Sequence, residues 1–357
     1  MALKRLRVEN VRCIEAADLA FDPQRNLIFG PNASGKTSLL EAIYFLGRAR
    51  SFRGVRNDQL IRSGADGLTA TAYLAREHRE RVLVVHFGPD GLEARLDARP
   101  VAGVAELATT FPVQAIDPGL HQLIEEGPQQ RRRFLDWGVF HVEPSFVQSW
   151  QRYQRALRQR NTALRTRAQA EMIRAWDHEI VSAGTHIAAA RNRYLDALAP
   201  EVRATGERLL GLPIELQLAQ GWAADRSLSE ALDRSLSRDT DRGVTHVGPH
   251  RADLQIRVAA EPARNRVSRG QQKLVAAALL VGQLRCDANL ASPTAALLVD
   301  DPAAELDQDS LERLLDEILG LPLQLFVTAL DPTHPALERL ATAARFHVEH
   351  GKLTRLI

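Results

Sequence analysis

The stretch Gly30-Pro31-Asn32-Ala33-Ser34-Gly35-Lys36-Thr37 leaves this chain the least freedom. It fits the pattern G-x-x-x-x-G-K-[ST]. The glycines let the backbone curl so that successive N–H groups point inward at a phosphate. A helix starting there adds its positive end. The lysine brings a mobile charge to the β and γ phosphates, and the hydroxyl of Thr37 can ligate Mg²⁺. The context fits: Asn26 to Phe29 predicts a strand running into the loop, and Leu39, Leu40, Ile43 and Leu46 recur at helical spacing after it. Lysine is scarce, with Lys4, Lys36, Lys273 and Lys352 the only ones among 46 basic residues, so a lysine at the position the chemistry demands argues against a chance match. We therefore expect ATP and Mg²⁺ as ligands, with Gly30 to Thr37 around the phosphates and Lys36 assisting catalysis.

The 357 residues suffice for two domains, or for one large domain with an insertion. A hydrophobic share of 45% and a charged share of 25% are those of a soluble globular protein. Net charge is only +2, so an anionic partner requires the positive charge to be clustered. Cys13 and Cys286 lie far apart and form no metal-ligand spacing, and two thiols cannot make a disulfide framework, which predicts a reducing compartment. Residues 1 to 11 lack an apolar signal core, and the longest apolar run, Leu274 to Val281, is too short for a bilayer. The expectation is a cytoplasmic protein without a membrane segment.

Strands are predicted at 3–8, 17–21 and 26–29. Thr69 to Leu74, Arg81 to Phe87 and Leu92 to Leu96 form a small antiparallel sheet, with a turn at Gly88-Pro89-Asp90-Gly91. From 121 to 242 the pattern turns helical. Trp150, Tyr153, Leu157 and Leu164 share one face, while Arg152, Arg155, Arg158, Arg160, Arg165 and Arg167 crowd the rest. Between 151 and 193 nine arginines stand against three acids. Arg152, Arg155, Arg158 and Arg160 of this cluster either neutralise DNA phosphates or belong to a solvated helix surface. Arg131 to Arg133 are further candidates for DNA contact, or for pairing with acids inside the protein. From 243 onward an α/β pattern returns: strands at Leu254 to Val258, Ala295 to Val299 and Gln324 to Thr328, helices at Arg269 to Leu284 and Leu311 to Leu319. The expected fold is thus α/β with a mainly parallel sheet formed by 1–120 and 243–357, interrupted by a helical arm at 121–242.

Asp300-Asp301 closes an apolar strand, where a carboxylate can hold the magnesium of a bound nucleotide. Asp300 is the metal candidate. Asp301 is the candidate to orient or deprotonate an attacking water. Ser268-Arg269-Gly270-Gln271-Gln272-Lys273 opens a helix, with Ser268 as its cap. His246 and His250 flank Gly248-Pro249; with no further clustered ligands they read as ordinary histidines of a turn rather than a metal pair.

The order of these features resembles an ABC-type (SMC/Rad50-like) P-loop ATPase head without long coiled coils, and the closest likeness is to the RecF family. The likeness rests on Gly30 to Thr37 running into Ser38 to Tyr44; on Glu126-Gly127-Pro128 followed by Arg131 to Gly138; on Gly248 to Leu254; on Ser268 to Leu274; and on Val299 to Asp307. It implies an ATP-dependent DNA-binding recombination mediator that acts at single-strand gaps or junctions with RecO and RecR and loads RecA. Such a protein serves DNA repair, replication and the SOS response. It also implies an ATP-dependent homodimer, in which Ser268, Gly270 and Gln271 of one copy meet the γ phosphate held by the other. Asp307 would lie at the same interface, and Arg12 would contact nucleotide phosphate. Four positions depart from the usual head: Ala33 and Arg269 replace glycines, Asp301 replaces a glutamate, and Thr328 stands where many heads have a histidine. The last two predict a weak, DNA-stimulated ATPase in which ATP acts mainly as a dimerisation switch. The rival readings are a P-loop kinase of a small molecule, which gives the Ser268 helix no role, and an ATP-binding scaffold without DNA contact.

Overall fold

The computed structural model describes residues 2–76, 79–289 and 295–356. The chain divides into two compact units, Met1–Leu120 with Ala291–Ile357 and His121–Leu290.

The first unit holds two six-stranded sheets. One is antiparallel, in the order Ile14–Ala20, Ala2–Val11, Leu68–Arg76, Arg79–Gly88, Gly91–Leu96, Arg99–Pro100. Its first strand alternates as a one-faced strand must, with Leu3, Leu6 and Val8 buried and Arg5 and Arg7 exposed. The other runs Lys352–Leu356, Ala344–Glu349, Arg25–Phe29, Gln324–Ala329, Ala296–Val299, Val113–Ile116. It is parallel except at the Lys352–Leu356 edge. Its central strands Gln324–Ala329 and Ala296–Val299 are buried at every residue, which explains the apolar runs Leu325 to Val327 and Ala296 to Val299. Helix Lys36–Arg48 places Leu39, Leu40 and Ile43 in the core shared by both sheets. Gln324 staples the sheets together: its Oε1 accepts from the Leu3 N–H at 2.7 Å and its Nε2 donates to the carbonyls of Leu3 and Asp22. The parallel strands all deliver their C-terminal ends to one edge, where ligands of open α/β sheets bind.

The second unit contains helices Pro128–Val142, Phe146–Arg165, Asp177–Leu210, Leu228–Arg242 and Arg269–Asn289. It also contains a three-stranded antiparallel sheet of Ile214–Ala219, Asp253–Val258 and Glu261–Pro262. The compact units do not divide where the sequence pattern changes at 243. Residues 243–289 fall with the helices of the second unit. Asp253–Val258 pairs antiparallel with Ile214–Ala219, a strand unforeseen within the stretch expected to be helical. The alternation of Leu254, Ile256 and Val258, buried between exposed Gln255 and Arg257, is that of a strand with one wet face. Helix Arg269–Asn289 packs against Asp177–Leu210, with Leu274 to Leu284 buried all round.

Candidate nucleotide site and arginine surface

The phosphate loop leaves strand Arg25–Phe29 through Gly30, at φ 155°. A Cβ there would meet the Val348 carbonyl oxygen at 2.1 Å, so only glycine fits. Gly35, at φ 119°, opens helix Lys36–Arg48, whose start no side chain caps. The end of a helix that its own side chains leave unsatisfied is suited to an anion. Ala33 adopts φ 59° without being glycine, a conformation that costs about 1–2 kcal/mol and makes this loop stiffer than one with glycine. Ser34 is buried, and its Oγ finds no hydrogen-bond partner among the described residues. An orphan hydroxyl in a phosphate loop suits an incoming acceptor oxygen.

Lys36 folds back into the loop. Its Nζ donates to the carbonyls of Gly30 at 2.7 Å and Pro31 at 3.0 Å. Desolvation pulls its pKa below that of an ordinary lysine, opposed by the negative charges of Asp301 and Asp300. Thr37 donates its hydroxyl to Asp300, with both carboxylate oxygens 3.0 Å away. Thr328 donates to Oδ1 of the same carboxylate at 2.8 Å. Burial raises the pKa of Asp300, and the Thr328 and Thr37 hydroxyls oppose that rise. A hydroxyl and a single carboxylate converging at a phosphate loop form the sparse set that Mg²⁺ accepts when nucleotide phosphates and water complete its octahedron. Asp301 follows at φ 46°, its N–H donating to Thr328 Oγ1 at 2.8 Å.

Arg12 lies in the two-residue turn between strands Ala2–Val11 and Ile14–Ala20, beside Cys13, whose sulfur approaches Ser38 Oγ at 3.5 Å. Its guanidinium forks onto Glu41 at 2.9 and 3.2 Å. Glu41 also accepts from Ser51 Oγ and is buried one turn beyond Thr37. Sequence reasoning passed over Glu41, although a lone acid inside the apolar run of a helix calls for a cation.

Ser268, Gly270 and Gln271 belong to the helical unit. The Ser268 N–H donates to Gln271 Oε1 at 3.1 Å, and the Gln271 N–H donates to Ser268 Oγ at 3.4 Å. This is a reciprocal cap, predictable from the S-x-x-Q spacing. Gly270 faces open space, so backbone is accessible there. Asp307 caps helix Gln308–Leu319 by accepting from the Ser310 N–H at 2.9 Å.

The arginine candidates separate. Arg160 is fully buried: its Nε bonds Asp177 at 2.8 Å, and its Nη1 bonds Asp239 at 2.8 Å and Thr245 Oγ1 at 2.9 Å. It is thus withdrawn as a DNA contact. Its position on the Tyr153, Leu157 and Leu164 stripe explains the burial. Arg131 forks onto Asp253 at 2.8 and 3.1 Å, and Arg132 donates to the Ala252 carbonyl at 2.6 Å, which favours the internal role for both. Arg133 is exposed. Arg152 is exposed but forks onto Glu179 at 2.6 and 3.0 Å. Arg155, Arg158, Arg165 and Arg167 are exposed.

The two histidines do not form a pair. His246 Nδ1 lies 2.9 Å from Asp239 Oδ1. His250 accepts at Nδ1 from the Tyr153 hydroxyl at 2.6 Å and donates from Nε2 to the Thr245 carbonyl at 3.1 Å. Burial pushes the His250 pKa down to about 4, so the ring is neutral at pH 7. Among the described residues no helix is long and apolar enough to cross a membrane.

The RecF/RecN/SMC N-terminal domain family matches residues 2–352. The DNA replication and repair protein RecF of Stenotrophomonas maltophilia (strain R551-3) is 39% identical over 363 residues, covering 99% of each chain. RecF of Shewanella baltica (strain OS223) is 39% identical over 359 residues, again covering 99% of each. A solved structure of the recombination mediator RecF with ATP, of the RecFOR pathway, superposes with a TM-score of 0.89 at 24% identity, covering 100% of this chain and 98% of that one. An Smc head bound to the C-terminal winged-helix domain of ScpA gives a TM-score of 0.61 at 17% identity, covering 100% and 98%.

Proposed function

The chain belongs to the RecF family of DNA replication and repair proteins, within the wider RecF/RecN/SMC family, and from that premise we propose that it is an ATP-dependent DNA-binding recombination mediator. One observation carries the reading: Thr37, beside the loop lysine, and Asp300, 263 residues away, meet in a hydrogen bond at the end of the parallel sheet. ATP is held by Gly30 to Thr37, with Lys36 exchanging the carbonyls of Gly30 and Pro31 for phosphate oxygens. Arg12 stands at the margin of the loop for a further phosphate contact. Thr37 and Asp300 hold Mg²⁺, which when bound neutralises charge on the phosphate oxygens. Asp301 orients the attacking water. Its carboxylate is one methylene shorter than the glutamate of faster heads, so hydrolysis is slow and DNA-stimulated.

Ser268, Gly270 and Gln271 of a second copy close the site. The helix N-terminus they cap would turn toward the γ phosphate, and the bonds between Ser268 and Gln271 would be replaced by bonds to phosphate oxygens. ATP thus acts mainly as a dimerisation switch. The family and the RecFOR pathway named for the superposed structure support RecO and RecR as partners. RecA loading at gaps or junctions, with service to repair, replication and the SOS response in the cytoplasm, follows from the same reading. The kinase reading has no use for the self-capped Ser268 helix.

Fluorescence anisotropy of labelled DNA, with and without ATP and Mg²⁺, tests the function. Tighter binding with ATP, lost in Lys36→Ala, is expected; DNA affinity indifferent to both would leave only a nucleotide-binding scaffold. Sedimentation with ATP tests the switch: dimers should form in the wild type and not in Ser268→Arg.

A further inference from the structure

Thr328 is the penultimate residue of the central strand Gln324–Ala329 and is fully buried. Its hydroxyl is used twice. It donates to Asp300 Oδ1 at 2.8 Å and accepts from the Asp301 N–H at 2.8 Å. A hydroxyl has a single proton, so the direction is unambiguous: the proton goes to the carboxylate and a lone pair takes the amide. Two β-carbon substituents hold this side chain in few rotamers, which makes it a rigid link between strands.

What Thr328 holds is a turn that local preference opposes. Asp301 sits at φ 46° and ψ 54°, the left-handed region that a non-glycine residue seldom adopts. Such a residue persists only where its surroundings over-determine it. The parallel pairing of Val299 with Val327 brings Thr328 beside the Asp300-Asp301 step, and Pro302 starts a short 3₁₀ turn directly afterwards. The Asp301 N–H is thereby fixed from across the sheet while Thr37 and Thr328 fix the Asp300 carboxylate.

We propose that Thr328 is a positioning residue for ATP hydrolysis: its one hydroxyl locks the left-handed turn at Asp301 and so aims the Asp301 carboxylate relative to the metal-holding Asp300. The inference rests on the ATPase reading above. Where many heads place a histidine, this chain has a short strut whose hydroxyl bonds both aspartates.

Thr328→Val keeps the shape and removes both bonds; Thr328→Ser keeps the hydroxyl. Three measurements read the outcome. Hydrogen exchange of the Asp301 amide in the nucleotide-free protein should quicken about tenfold or more in the valine variant and return toward wild type in the serine variant, as a buried bond is lost and restored. Affinity for a fluorescent ATP analogue in Mg²⁺-free buffer should stay within about threefold, since the phosphate loop is intact. Turnover should fall about tenfold or more with KM nearly unchanged, and the serine variant should recover most of it. Wild-type turnover in the valine variant would overturn the proposal. So would an equal loss of Mg²⁺-free affinity, or failure of serine to rescue. A wild type with no turnover at all would sink the ATPase reading itself, and amide exchange alone would then decide whether Thr328 holds Asp301.

Discussion

Asp239 and Asp300 are both buried carboxylates joined to residues remote in sequence, one in each unit, yet their partners differ in kind. Asp239 bonds the Arg160 guanidinium, the ring and backbone of His246, and Ser235. Asp300 is bonded by two neutral hydroxyls, Thr37 and Thr328, and its burial pushes its pKa up. A buried carboxylate met by an arginine is held for structure: removing either partner strands the other charge in a low dielectric. A buried carboxylate met only by hydroxyls keeps unbalanced charge, which suits a divalent cation. The same residue type is thus neutralised by a cation in one unit and left to hydroxyls in the other.

The largest effect should come from breaking the arm cluster. Arg160→Ala leaves Asp239 and Asp177 without their cation and should cost about 3–5 kcal/mol in chemical denaturation. A midpoint near wild type would mean that Arg160 is not the keystone its burial indicates. The second effect is a pH dependence from the same network. His250 is neutral in the fold with its pKa lowered to about 4, against about 6.5 unfolded. Between those values the unfolded chain binds more protons, so this contribution is present above pH 6.5 and is lost as pH falls toward 4, by as much as about 3 kcal/mol. Asp287, raised to about 7 by burial beside the Tyr194 hydroxyl, works the other way: its contribution is lost as pH rises from about 4 to 7. Asp287→Asn should therefore lose stability on acidification more steeply than wild type. Parallel pH profiles would show that the two groups do not oppose one another.

The head cluster responds differently. Lys36→Ala removes a desolvated ammonium whose partners are two carbonyls, so the fold should lose little, but nucleotide affinity should fall about 100-fold in titration with a fluorescent ATP analogue. Equal losses in unfolding free energy and in affinity would erase the distinction between the two clusters.

Chemistry written in adjacent residues was legible. The strand, loop and helix from Arg25 to Arg48, and the Asp300-Asp301 strand end, follow from local pattern and from what phosphate requires. What stayed hidden depends on partners far along the chain. Arg160 looked like one more surface arginine because Asp239, 79 residues on, carries no local sign of the pairing. Its place on the Tyr153 stripe was the available clue. The strand Asp253–Val258 was legible as a strand but not by the sheet it joins, since its partner Ile214–Ala219 lay in a stretch expected to be helical. Thr328 was visible as a departure from histidine, while its two hydrogen bonds, to the Asp300 carboxylate and from the Asp301 N–H, required the parallel register.

The smallest effect is the most direct test of which arginines remain for DNA. Arg160 is buried and Arg152 is shared with Glu179, so the informative reverse-charge variant is at Arg155 and Arg158, both exposed on helix Phe146–Arg165. If each neutralises one phosphate, Arg155→Glu with Arg158→Glu should lower the slope of log affinity against log salt by about 0.9 per lost contact, and affinity at moderate salt by about tenfold. The loss should be similar for unrelated sequences, because phosphate contacts carry no base information. Unfolding midpoints should not move, unlike those of Arg160→Ala. An unchanged salt slope with an unchanged midpoint would make this face a solvated helix surface and send the search for DNA contacts to other arginines.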